Sequence, residues 1–175
     1  MSRVLAAFVG TGLALAALAG PACAQDKPPR DLSDTLRPCT RADLLGTWEV
    51  VRMGAAPGFT FDRADPEYRP FQRYVFDANA TARHLTSETA ITPDEHRALV
   101  ERAAAATWAV DETGRLQLLK EGAAQPEAAT CAVLLKEVES RQGGIPGLPG
   151  DLLLTHADAG GKPVVRRQLR KLAEP

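Results

Sequence analysis

The sequence predicts a mainly β protein: a single antiparallel barrel of seven or eight strands with one mid-chain α-helix, a β-sandwich being the alternative that strand spacing leaves open. Three observations carry this expectation. Short runs rich in strand-forming residues recur between clusters of Gly, Pro, Asp and Asn; one strong helix start stands in mid-chain; the β-α-β alternation that a parallel sheet needs is missing.

Met1-Ser2-Arg3 followed by the uncharged run Val4 to Ala19 reads as a secretory signal over residues 1–24. Ala22 and Ala24 supply an A-x-A cleavage site, so the mature chain is expected to start at Gln25, in the periplasm or the medium. Lipidation at Cys23, giving an anchored protein, is the competing reading. The apolar run is shorter than the roughly 20 residues that a membrane-spanning helix needs. Residues 25–38, rich in proline and charge, read as a flexible leader, and residues 39–175 as one domain.

Within that domain, Thr40-Arg41-Ala42-Asp43 has the pattern of a capping box and predicts one helical turn that Gly46 ends. A strand follows from Thr47 to Met53, with Trp48 and Val50 on one face. Arg52 shares that face if the strand is regular, where it could meet the carboxylate of an apolar ligand; a bulge would turn it outward. Gly54 to Arg69 reads as a long loop with room for a short strand at Phe59 to Phe61. Phe71–Phe76 and Thr81–Thr86 form a hairpin around Asp77-Ala78-Asn79-Ala80. Thr92-Pro93-Asp94-Glu95 starts a helix expected to reach about Ala106, its stripe of Leu99, Val100, Ala103 and Ala106 lying against the barrel. Thr107–Val110 and Arg115–Lys120 pair around a turn closed by Gly114. Ala129–Val138 is a strand carrying Cys131, Arg141–Gly150 is a loop too rich in Gly and Pro for regular structure, and Asp151–His156 with Val164–Leu172 makes the last hairpin.

The function classes that composition excludes are few. With 21 Lys plus Arg against 22 Asp plus Glu, the chain lacks the bulk basicity of a nucleic-acid binder. Cys39 and Cys131 stand in an oxidising compartment and are expected to pair, the alternative being two buried thiols; their loop of roughly 90 residues would stabilise by about 4 to 5 kcal/mol in the chain-entropy model. His84, His96 and His156 show none of the spacings of a metal site, so neither metal nor cofactor is expected. Ser33, Ser87 and Ser140 lie outside any nucleophile elbow, and the acid pairs Asp94-Glu95 and Asp111-Glu112 are explained by capping and turn chemistry, so no catalytic residue is assigned. Phe59, Phe61, Tyr68, Tyr74 and Phe76 cluster in a short stretch and are the candidate ligand-facing wall, with filling of a barrel end as the alternative.

Gly46-x-Trp48, after its short turn, resembles the opening strand of lipocalin-like (calycin) barrels. Together with Trp108-Ala109-Val110 and Leu152-Leu153-Leu154-Thr155, it is similar to small exported bacterial proteins of that type. The resemblance implies that Trp48 seals one barrel end, with a basic residue of the last strand stacked across it: Arg170, with Arg167 second. It departs from typical lipocalins in its mid-chain helix and in lacking a Thr-Asp-Tyr signature. The function it implies is binding of a small apolar molecule. A protein-interaction or inhibitor module with a filled barrel and an exported protein as partner is the alternative, and a hydrolase or isomerase trails both.

Overall fold

The computed structural model describes residues 34–140 and 144–173. The expected signal sequence, Cys23 and most of the expected leader lie outside them. Among the described residues there are nine strands: β1 (Leu36–Pro38), β2 (Gly46–Ala55), β3 (Phe71–Phe76), β4 (Thr81–Ser87), β5 (Ala106–Val110), β6 (Arg115–Lys120), β7 (Glu127–Leu134), β8 (Leu152–Ala157) and β9 (Pro163–Lys171). Strands β2 to β9 follow one another around an antiparallel barrel, closed by pairing of β2 with β9 and of β7 with β8. Strand β1 continues the line of β6 along β7, with Arg37 opposite Val133. Residues 36–38, expected in the leader, are therefore part of the sheet.

Helix α1 (Arg41–Leu44) starts at the predicted box, where Asp43 accepts from the backbone N and the Oγ1 of Thr40, both at 2.7 Å. The same carboxylate binds Arg37 through two hydrogen bonds of 2.7 Å, fastening α1 to β1. The Arg37 guanidinium, by hydrogen bond and charge, holds the Asp43 carboxyl well below the usual range. Gly46 then turns the chain into β2 with a φ of +109°, which favours glycine.

The inward positions fall into two zones. At the end where β2 begins, Trp48, Phe76, Trp108, Leu116, Leu152 and Leu169 pack with Leu44 into an apolar core. The indole N–H of Trp48 donates to the Leu44 carbonyl at 2.7 Å and that of Trp108 to the Thr81 carbonyl at 3.0 Å, so both rings bury with their polar atoms satisfied. The Cys39–Cys131 disulfide lies in this core and ties the segment before α1 to β7. Opposite it, Gly114 adopts a φ of +78°, and a Cβ there would come within 2.4 Å of the Cys131 carbonyl oxygen.

Three elements differ from expectation. Helix α2 (Pro93–Glu101) has the predicted Thr92–Glu95 capping box but ends at Glu101, because Arg102 and Ala105 are recruited by β4: the Arg102 carbonyl accepts from Arg83 Nε at 2.5 Å, and Ala105 N–H donates to Ala82 at 3.3 Å. Leu99 is the buried residue of its stripe, and Val100 is exposed. Strand β7 ends at Leu134 rather than Val138. Strand β2 runs on to Ala55, no strand forms at Phe59 to Phe61, and the segment instead holds a 3-10 helix, Pro66–Tyr68, set by Pro66 at its first position and by Asp65, whose side chain caps Glu67 N–H at 2.9 Å.

Candidate functional site

Strands β4 and β5 pair only at Thr81–Thr107 and Ala82–Ala106 and then part. Where they part, at the end of the barrel away from Trp48, the lumen holds a cavity of about 430 Å³. Its inner wall is Tyr74, Ala82, Ala106, Leu118 and Leu154; His84 and His156 stand beside them, and Glu67, Lys120, Glu121 and Glu127 border it. The strand register explains this lining. Tyr74 faces His84 across β3–β4, Ala106 faces Lys120 across β5–β6, Leu118 faces Glu127 across β6–β7, and Leu154 faces Arg167 across β8–β9.

The two imidazoles are largely buried, and no protein group reaches the Nε2 atom of either. Burial, partly countered at His84 by the Glu67 carboxylate, lowers the pKa of His84 to about 4; burial and then the Arg167 charge do the same for His156, also to about 4. Both are neutral at pH 7. The His84 ring stacks on Tyr74 with centroids 4.1 Å apart and planes within 10°. Burial pushes the Tyr74 phenol up to about 12, so it stays protonated and donates to Gln72 Oε1 at 3.4 Å.

The segment 56–70 covers this end and is held to three strands through Glu67. Its carbonyl accepts from the fully buried Gln72 Nε2 at 2.8 Å and from Arg167 Nη2 at 2.7 Å; its carboxylate receives Lys120 Nζ at 2.7 Å and lies 3.7 Å from Arg167. Burial opposes ionisation of Glu67, but the Lys120 hydrogen bond and the surrounding positive charge outweigh it and set its pKa below the ordinary value. Lys120 also reaches Glu127 at 2.8 Å; burial works against its charge, and the two carboxylates reverse that and raise its pKa.

The expected site residues are dispersed. Phe59, Phe61 and Tyr68 form a cluster of their own within the cover, with centroids 5.3 to 5.9 Å apart, and Arg167 lies 6.0 Å from the Tyr68 ring. Tyr74 lines the cavity. Phe76 is 1 % exposed and packs edge-on to Trp108 in the core. Arg52 is turned outward, because a bulge between Val50 and Arg52 shifts the register; Met53, not Arg52, then faces Arg167 across β2–β9, and Arg52 Nη1 reaches Ser140 Oγ at 3.4 Å.

The cation over Trp48 is Lys171, its Nζ 5.6 Å from the ring centroid, in place of Arg170 or Arg167. Lys171 pairs with Trp48 across β2–β9, so the two share the inner face, whereas Arg170 is one position out of phase. Arg170 binds Asp151 on the outside at 2.8 Å, together with Gln168 at 2.8 Å, and both also donate to the Pro146 carbonyl, which holds residues 146–151 against β9. A Cβ on Gly46 would stand 3.0 Å from Lys171 Cε, which ties the G-x-W spacing to the seat of this lysine.

His84, His156, Glu67 and Lys120 carried no signal in motif terms. The signal was in period two: His156 is in phase with Leu152 and Leu154, and His84 with Ala82. Among the described residues no group of three His, Cys, Asp or Glu side chains could hold a metal ion, and no helix is long and apolar enough to cross a membrane. The chain matches no family model, no curated protein and no solved structure.

Proposed function

We propose that the protein is an exported binding protein that takes a small, mainly apolar molecule into the lumen where β4 and β5 part. The barrel is compatible with a lipocalin-like fold. The observation that carries the reading is the cavity of about 430 Å³, walled by Tyr74, Leu118 and Leu154 and within the size range of ligand pockets. Apolar surface there is bordered by a few polar groups that fix orientation, which is the usual division of labour in such sites.

Titration of the full chain with N-phenyl-1-naphthylamine, an uncharged fluorophore that brightens in apolar surroundings, tests it. Saturable enhancement at one site is expected, abolished by Ala106→Phe, which puts a ring into the lumen, while a thermal melt shows the variant still folded. No enhancement in the parent chain, or equal enhancement in the variant, counts against it.

A second reading has one observation in its favour. Leu135, Val138, Ile145 and Leu148 are exposed, and a groove of about 450 Å³ runs between Val138 and the outer face of β2, β8 and β9. An exported protein partner would dock there; Val138→Asp would then abolish its capture and leave the fluorophore bound.

A further inference from the structure

The cations around the lumen each stand beside a carboxylate of the protein, and this limits what can enter. Building on the reading of the lumen as a ligand site, we infer that its ligand is an uncharged ring compound bearing a hydroxyl or carbonyl group, rather than a carboxylate or an amine.

The cations are engaged. Lys120 Nζ lies between Glu67 at 2.7 Å and Glu127 at 2.8 Å. Arg83 is drawn to Asp77 and donates its Nε to the Arg102 carbonyl. Arg167, buried behind the cavity lining, spends Nη2 on the Glu67 carbonyl at 2.7 Å with the Glu67 carboxylate 3.7 Å away, and its Nε has no protein partner. A carboxylate entering this space would shed its hydration, find no unmatched cation among these three, and meet Glu67, Glu121 and Glu127. An ammonium group fares little better. The inner wall offers it Tyr74, two alanines and two leucines, and the acid without an ion pair, Glu121, is exposed at the rim. Burying either charge without a partner opposes binding.

Among the residues that line the cavity, the buried side-chain atoms left without partners belong to neutral groups. His84 and His156 both line the cavity, and each neutral imidazole presents one donor and one acceptor, with Nε2 unreached by protein in both. A hydroxyl or carbonyl can satisfy either. The Tyr74–His84 stack presents a flat boundary that a ring can face.

Three compounds sharing one ring system decide the matter: 2-naphthalenemethanol, 2-naphthoate and 2-naphthalenemethylammonium, each displacing N-phenyl-1-naphthylamine from the full chain at pH 7.5. The alcohol should bind at least about tenfold more tightly than either ion. If an ion binds as well or better, the assignment of an uncharged ligand is overturned while the lumen site stands; if the fluorophore never binds, both are overturned. Glu127→Gln, which removes one of the two negative charges paired with Lys120, should raise the ratio of naphthoate to alcohol affinity about threefold or more. An unchanged ratio would show that charge matching does not govern the choice.

Discussion

Acidification from pH 7 to pH 5 should destabilise the fold through His84 and His156, and the size of the loss follows from their surroundings. Each imidazole titrates near 6.5 when exposed and at about 4 in the barrel. A depressed folded value means that the unfolded chain binds the proton first. The stability each neutral ring contributes is therefore complete above pH 6.5 and is lost as pH falls toward 4. Within that window the slope is about 1.4 kcal/mol per pH unit for each ring, so pH 7 to 5 removes about 2 kcal/mol at each of the two. The depressed carboxyls of Asp43, Glu67 and Asp151 act lower, since their unfolded counterparts take up protons mainly below about pH 5. Urea denaturation at the two pH values, on the parent chain and on His84→Phe, measures the effect. The variant keeps a ring against Tyr74 and should show a pH-dependent loss smaller by about 2 kcal/mol. An identical loss in both proteins would refute the claim that His84 is held neutral by burial.

Other perturbations probe the frame around the site. Replacing Cys39 and Cys131 by serine removes a cross-link between residues 92 positions apart and should cost about 4 kcal/mol, read as a lower urea midpoint than that of the oxidised parent. Gly114→Ala forces a left-handed backbone on a side chain and drives its Cβ against the Cys131 carbonyl, so a loss of about 2 kcal/mol is expected in the same assay. Asp151→Ala strips partners from Arg170, Gln168 and the Leu148 N–H; about 3 kcal/mol should go, and exchange of the Leu148 amide should quicken.

What could be read from the chain, and what could not, divides by the range of the interactions involved. The capping boxes at Thr40 and Thr92 and the turn at Gly114 depend on residues a few positions apart, and those elements start where local chemistry places them. The end of α2 depends on Arg102 and Ala105 finding partners on β4 about 20 residues away, so helix propensity in Ala103-Ala104-Ala105-Ala106 was overridden by pairing. Choosing among Arg167, Arg170 and Lys171 required the register of β9 against a bulged β2, which no local signal encodes. The aromatic cluster was visible as composition, but its division between cover, lumen and core was set by the 3-10 helix and by strand phase. The polar half of the lumen is assembled from residues on six strands and the cover.

A crystal of the full chain soaked with 2-naphthalenemethanol tests the central claim most directly. The account predicts ring density beside Tyr74 and His84, between Leu118 and Leu154, with the hydroxyl within hydrogen-bond reach of His84 or His156. Density only in the outer groove beside Val138, or a lumen that stays without the compound at saturating concentration, would contradict it.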